Sequence, residues 1–105
     1  MSNSANINMT TYIIAQINIK DRNEYAKYEA GFAEIFSRYN GQMLAVDESP
    51  TIVEGTWDFT RTVIIQFPSK DDADAWYRSE EYQGLAQHRF NASTANITFI
   101  EGLAH

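Results

Sequence analysis

The sequence contains no cysteine, which excludes disulfides, thiolate nucleophiles and zinc–cysteine sites. It also lacks any run of lysine or arginine, and its formal net charge is −6, so we expect no nucleic-acid partner and no anionic membrane partner. No apolar run approaches the ~20 residues that a membrane-spanning helix requires. The chain does not open with a basic stretch followed by an apolar one, so no signal peptide is predicted. These absences lead us to expect a cytoplasmic protein.

Cofactor-binding signatures are missing as well. No glycine-rich phosphate loop occurs, so we expect no nucleotide cofactor. His88 is the only internal histidine, and it has no second histidine or carboxylate at a metal-binding spacing. Ser69 lies outside any nucleophile-elbow motif and is predicted to cap a helix. The sequence therefore predicts no cofactor and no metal site.

What the chain does contain is enough apolar material for one folded domain. Its 105 residues suit a single core, and a hydrophobic fraction of 44% argues against global disorder. Six Tyr, six Phe and two Trp are many for so small a core, so some of these rings are expected in a pocket or a dimer interface. We predict a disordered tail at 1–9 and a single domain at 10–105.

Hydrophobic periodicity predicts the secondary structure. Alternation indicates a strand at 11–19, with its isoleucines on one face. Asp21 and Glu24 have the spacing of a helix N-cap, and Gly41 fits a left-handed residue after that helix. The helix has an apolar stripe of Tyr25, Tyr28, Phe32, Ile35, Phe36 and Tyr39. Further strands are predicted at 42–46, 51–56, 62–67 and 96–101.

Two more helices are predicted between the last two strands. Ser69 caps the first, which has Ala73, Trp76 and Tyr77 as its apolar positions. Ser79 caps the second, whose apolar stripe is Tyr82, Leu85, Ala86 and Phe90. The resulting order is the split β-α-β-β-α-β pattern of an α+β domain, with an antiparallel sheet whose central strands are the first one and 62–67.

In this arrangement the helices cover only one face of the sheet. The opposite face would be open, and it carries Tyr12, Ile14, Gln16, Thr62, Ile64 and Gln66. An apolar sheet face needs a cover, and a second copy related by a twofold axis would provide one. We therefore predict a homodimer through this face.

Several motifs resemble those of the DUF1330 family, which belongs to the ferredoxin-like dimeric α/β-barrel superfamily. They are spread from residue 11 to residue 102, and the most specific are 53–57 (VEGTW), 61–69 (RTVIIQFPS) and 75–82 (AWYRSEEY). The resemblance implies the barrel dimer. Other branches of the superfamily include cofactor-free monooxygenases, lactone isomerases and dye-decolourising peroxidases. The chain departs from the family in having Gln66 where Glu is common, and Val46-Asp47-Glu48 where Arg-Gly-Gly is common.

Two titratable residues are candidates for catalysis. Glu54 would be a proton shuttle if burial raised its pKa, and the alternative is a salt bridge to Arg61. His88 would be a general base, since histidine titrates near neutrality, and the alternative is an ordinary surface histidine.

The candidate ligand-binding residues are aromatic or polar: Tyr28, Trp57, Arg61, Gln66, Trp76 and Tyr77. The aromatic members have core or interface packing as their alternative role. Gln66, together with Gln16, has the alternative of a hydrogen-bonded pair that sets the dimer register.

Three functions remain open from the sequence. The chain is a dimer that binds a small apolar or aromatic metabolite, or a cofactor-independent isomerase or monooxygenase that moves protons with Glu54, His88 and tyrosines, or a scaffold without a small ligand. A buried titrating group that lines an open pocket would distinguish the enzyme from the binder.

Overall fold

The computed structural model describes residues 9–103. The tail predicted at 1–9 lies outside this range except for Met9. The elements follow the order β-α-β-β-α-α-β: β1 (Thr11–Ile19), α1 (Arg22–Phe36), β2 (Gln42–Asp47), β3 (Arg61–Phe67), α2 (Lys70–Tyr77), α3 (Glu80–Ala92) and β4 (Ser93–Glu101).

The four strands form one antiparallel sheet in the order β2-β3-β1-β4. The predicted central position of β1 and β3 is confirmed. In the observed register Ile14 lies beside Ile64 of β3 on one side and Thr98 of β4 on the other. All three helices pack against one face of this sheet, where Ile13, Ile65 and other side chains of the same parity are buried.

An aspartate or a serine caps the N-terminus of each helix, as predicted. The Asp21 carboxylate accepts a hydrogen bond from the backbone N–H of Glu24 at 3.1 Å. Ser69 and Ser79 cap α2 and α3 in the same way, by accepting from backbone N–H groups three residues later. Each cap satisfies a donor that the first helical turn leaves free.

Gly41 does not have the predicted left-handed conformation. Among the described residues, Gly55 is the only one with a positive φ, at 82°. Helix α1 ends at Phe36, and Gly41 instead lies against two aromatic rings. A Cβ atom at Gly41 would come within 2.5 Å of Cζ of Phe36 and 2.6 Å of Cζ of Phe67. Glycine is therefore needed here because the rings pack closely against the backbone.

The strand predicted at 51–56 is also wrong. Residues 48–60 form an irregular connection between β2 and β3, and nearly all of their side chains are exposed. Val53 is 86% exposed, so this apolar side chain does not belong to the core of the chain. β-branched residues favour strands only where a pleated surface is available to pack them.

Helix α3 is rotated relative to the prediction. Phe90, expected in the buried stripe, is 45% exposed, whereas Arg89 beside it is only 4% exposed. The buried positions are Tyr82, Ala86, Arg89 and Ala92. The guanidinium of Arg89, rather than the phenyl ring of Phe90, therefore lies on the buried side of the helix.

The sheet face that the helices leave uncovered carries the predicted side chains. Tyr12, Ile14 and Ile64 are half-buried there, next to one another in the strand register. None of the helices within residues 9–103 is long and apolar enough to cross a membrane.

Candidate functional site

A cavity of about 180 Å³ lies between the helices and the covered face of the sheet. Its floor is apolar and comes from all four strands. Its walls come from the three helices and are largely aromatic. The lining residues are Ile13, Ala15, Ile17, Tyr25, Tyr28, Glu29, Phe32, Ala33, Met43, Arg61, Val63, Ile65, Trp76, Tyr77, Tyr82, Arg89 and Ile97.

The lining residues exposed to solvent indicate where the cavity opens. Glu29 and Ala33 on α1 and Met43 on β2 are exposed, whereas Trp76 and Tyr82 are 3% and 2% exposed. The mouth therefore lies between α1 and β2, and the inner wall is formed by α2 and α3. A molecule that enters would be surrounded mainly by rings and aliphatic side chains.

Two buried tyrosine hydroxyls meet in the wall of the cavity. The oxygens of Tyr28 and Tyr82 are 2.7 Å apart, so one hydroxyl donates to the other. Burial raises the pKa of Tyr28 well above its ordinary value, and the neighbouring Tyr82 adds to this effect. Burial likewise raises the pKa of Tyr82, although Arg89 next to it acts in the opposite direction. Both hydroxyls are therefore protonated donors at neutral pH.

Arg89 is the most unusual residue of the cavity. It is 96% buried, since only 4% of its surface is exposed, and its guanidinium carbon lies 5.8 Å from the ring centre of Tyr28. Its Nε and Nη2 atoms have no hydrogen-bond partner in the described chain. None of the ion pairs within residues 9–103 involves it. Arginine remains charged in proteins, so the wall contains a buried, uncompensated cation.

Arg61, the second arginine of the lining, is neutralised by its neighbours. Its guanidinium contacts Glu48 at 2.9 Å and Glu29 at 3.5 Å, close to the mouth. Glu48 also contacts Arg22 at 3.0 Å. Hydrogen bonds from Arg22 and Arg61 lower the pKa of the Glu48 carboxyl. This network holds the start of β3 to α1 and to the end of β2.

The structure brings four of the predicted ligand-binding residues together. Tyr28, Arg61, Trp76 and Tyr77 all line the cavity. Trp57 does not line the cavity. Its indole N–H donates to the hydroxyl of Thr62 at 3.2 Å, and its ring packs edge-to-face with Phe59 in the connection before β3.

Gln66 is on the open face of the sheet, opposite the cavity. It lies beside Tyr12, while Gln16 lies beside Thr62. The Ile14–Ile64 pair separates the two glutamines, so they are not direct neighbours within one chain.

Neither predicted catalytic residue lines the cavity. Glu54 is exposed on the connection between β2 and β3, and its predicted salt bridge to Arg61 is not formed. His88 is on the outer side of α3, where its Nδ1 lies 2.7 Å from the carboxylate of Glu24. The contact with His88 lowers the pKa of Glu24, and the contact with Lys27 lowers it further. The residues described by the structure contain no cluster of three or more metal-binding side chains.

The candidates named from the sequence do not include two of the lining residues, Tyr82 and Arg89. Tyr82 was predicted in the apolar stripe of its helix, and it does lie in the core. The signal for Arg89 is its spacing, because Tyr82, Ala86 and Arg89 follow the i, i+4, i+7 pattern of one helix face. Phe90 fits the same stripe almost equally well and is the more apolar choice, so the pattern alone favours the wrong residue.

The fold is shared with several solved structures of low sequence identity. RPA0582, a protein of unknown function from Rhodopseudomonas palustris, has a TM-score of 0.75 at 16% identity, covering 95% of this chain and 88% of that chain. SnoaB, a cofactor-independent oxygenase from Streptomyces nogalater, has a TM-score of 0.63 at 13% identity, covering 90% and 94%. A putative antibiotic biosynthesis monooxygenase from Nitrosomonas europaea has a TM-score of 0.63 at 16% identity, covering 91% and 92%.

These similarities and the element order show the ferredoxin-like α+β fold. Among curated proteins, none matches the sequence. The model of the domain of unknown function DUF1330 matches residues 10–103, which is nearly the whole chain. The chain therefore belongs to the DUF1330 family.

Proposed function

We propose that this protein is a homodimer that binds one small, largely apolar or aromatic molecule in the cavity between its helices and its sheet. The observation that carries the proposal is the cavity itself. Its volume of about 180 Å³ is enclosed by aromatic and aliphatic side chains with a few polar groups among them. Binding sites for small molecules have this composition, and an apolar cavity of about 150 Å³ is known to accept benzene. The size therefore suits a molecule with a single ring.

The cavity can be blocked at its mouth without disturbing its inner wall. Ala33 is an exposed lining residue on α1, so Ala33→Trp should fill the entrance. Ala30 is exposed on the same helix but does not line the cavity, and Ala30→Trp is therefore a matched control. Thermal shifts would be measured with single-ring aromatic compounds on all three proteins.

Ligands at 100 times their Kd should stabilise the wild type and Ala30→Trp by about 2.7 kcal/mol. Ala33→Trp should show no such shift. Equal shifts in the two tryptophan variants would refute binding in this cavity.

The dimer is supported by the open face of the sheet, where Ile14 and Ile64 lie side by side between polar neighbours. An unpaired carboxylate is costly to bury in an interface, so Ile64→Asp should give monomers in sedimentation analysis. Gln87→Asp, on the exposed side of α3, is the control and should leave the assembly unchanged. A wild-type protein that sediments as a monomer would contradict this part of the proposal.

A cofactor-independent enzyme is a second candidate, because the fold is similar to that of SnoaB and two tyrosine hydroxyls meet in the cavity. The raised pKa values of Tyr28 and Tyr82 keep both hydroxyls protonated at neutral pH, so the hydroxyl whose proton is not used within the pair would donate a hydrogen bond to a substrate. Mass spectrometry of bound compounds after incubation in air would distinguish the candidates. Turnover that Tyr28→Phe abolishes would favour the enzyme, and unchanged compounds would favour the binder.

A further inference from the structure

The cavity contains one cation that no acidic side chain balances. All 14 Asp and Glu residues of the sequence lie within the described range, yet none forms an ion pair with Arg89. Arg61, the other arginine of the lining, has two such partners. A buried charge without a partner is costly and is retained in proteins mainly at functional sites. Arg89 therefore needs a role that the folded chain alone does not supply.

The two free nitrogens of Arg89 have a specific relation to each other. Nε and Nη2 lie along the same edge of the guanidinium plane, and their N–H bonds point in the same direction. This edge is the fork that binds both oxygens of a carboxylate through two parallel hydrogen bonds. Both nitrogens are free together, which is the pattern that such a ligand requires.

We propose that the ligand of this cavity is a small aromatic or apolar carboxylate, held through both of its oxygens by the Nε–Nη2 edge of Arg89. This inference rests on the proposed function, because it names the chemical class that the same cavity takes. The shared chemistry is a planar group with two oxygens and one negative charge. One uncompensated guanidinium balances one such charge, so a dianion such as a phosphate monoester would leave excess negative charge in the cavity.

The cavity wall contains further hydrogen-bond donors without an acceptor among residues 9–103. The indole Nε1 of Trp76 is buried and also lacks a partner in the described chain. The Tyr28–Tyr82 pair uses one hydroxyl proton internally, which leaves the other as a donor. Acceptors are scarce by comparison, since no carboxylate belongs to the inner wall. A wall with several free donors and little acceptor capacity favours an anion over a neutral amide or alcohol.

The aromatic rings of the cavity wall indicate the shape of the rest of the ligand. Trp76 and Tyr82 have ring centroids 4.3 Å apart, and Phe32 lies edge-on to Trp76 at 5.9 Å. The opposite wall is the aliphatic floor of the sheet. This environment suits a flat or aliphatic body attached to the carboxylate, since it offers shape and apolar contact and almost no hydrogen bonding.

Matched acids and amides of equal shape test the inference. The pairs are benzoate and benzamide, phenylacetate and phenylacetamide, and hexanoate and hexanamide. Isothermal titration calorimetry at neutral pH would compare wild type, Arg89→Met, Arg89→Lys and Ala33→Trp. Within at least one pair, the acid should bind wild type at least about tenfold more tightly than the amide, which corresponds to about 1.4 kcal/mol.

The variants identify the source of that preference. Arg89→Met should lose the preference for the acid while keeping the affinity for the amide. Arg89→Lys should keep only part of it, because lysine retains the charge without the fork. If Arg89→Met does not fold, the acid–amide comparison in wild type and the reduced preference of Arg89→Lys still decide the matter.

The same measurements distinguish an error in the carboxylate inference from an error in the proposed binding function. Acids and amides that bind equally, with binding abolished in Ala33→Trp, would overturn the carboxylate inference and support the proposed function. A preference for acids that persists in Arg89→Met would also overturn the inference. Absence of binding by every compound would overturn both.

Discussion

Replacing Arg89 with methionine should make the unliganded protein more stable. Most substitutions of residues that are 96% buried destabilise a protein, but here the native side chain is a charged group with two unpartnered nitrogens. Methionine is unbranched and flexible, so it can occupy the space of the arginine stem and contact the surrounding rings through its sulfur. The cost of the buried charge would be removed from the folded state.

The magnitude follows from the contacts of Arg89. Two buried nitrogens without partners cost about 1–3 kcal/mol each, or about 2–6 kcal/mol together. The substitution also removes two cation–ring contacts, with centroids 5.8 Å away in Tyr28 and 4.9 Å away in Phe90. These contacts contribute about 0.5–1 kcal/mol each. Since solvent that enters the cavity would hydrate part of the guanidinium, we expect a gain near the low end, about 1–2 kcal/mol.

Urea and thermal denaturation at fixed protein concentration would measure this gain. A stabilisation of this size corresponds to a rise in Tm of about 4–10 °C for a domain of this length. Arg78→Met is the control, because the Arg78 side chain is 76% exposed and pairs only with Asp74 one helical turn away. The control should change the free energy of unfolding by less than about 0.5 kcal/mol. A loss of more than about 1 kcal/mol in Arg89→Met, with a neutral control, would show that Arg89 stabilises the fold and would refute the reasoning.

Three further predictions follow from the same structure. Gly41→Ala should lower the free energy of unfolding by about 1–3 kcal/mol in urea denaturation, because the added Cβ would overlap two rings. Gly84→Ala is the matched change in open space on α3, and it should raise the free energy of unfolding by about 0.5–1 kcal/mol. Absorbance titration should show Tyr28 ionising well above pH 10 and Tyr82 ionising above its ordinary value of 10.0. Stability should fall as the pH rises beyond 10, because the unfolded chain then loses protons that the folded chain retains. Tyr82→Phe should remove one late titration step, and ionisation of Tyr28 and Tyr82 at their ordinary value would contradict their burial. The pKa of Glu24 is lowered in the folded state, so this carboxylate contributes stability at pH values above its ordinary pKa of 4.5, and the contribution is lost as the pH falls through the folded-state pKa. Stability should therefore fall less steeply with acid in Glu24→Gln than in wild type. An identical acid dependence in the two proteins would contradict the contact with His88.

Much of the fold follows from local patterns in the sequence. The alternation in β1 and the capping serines and aspartate predict most element boundaries, because strand pleating and unpaired helical N–H groups are properties of a few neighbouring residues. The same reasoning failed at 51–56, since a run such as Ile52-Val53 forms a strand only if another strand is available to pair with it. Gly41 was recognised as a required glycine for the wrong reason, because the close approach of Phe36 and of the distant Phe67 depends on the packing of α1 against β3.

The sequence by itself determined the antiparallel α+β topology, the two central strands of the sheet and the division of the sheet into a covered and an open face. These features depend on periodicity and chain connectivity, which are readable one segment at a time. Only the tertiary structure decided that Arg89 rather than Phe90 faces inward, that Tyr28 and Tyr82 meet, and that Glu54 and His88 lie away from the cavity. A rotation of α3 by a fraction of a turn exchanges a phenyl ring for a guanidinium, and the packing of three helices on one sheet sets that rotation.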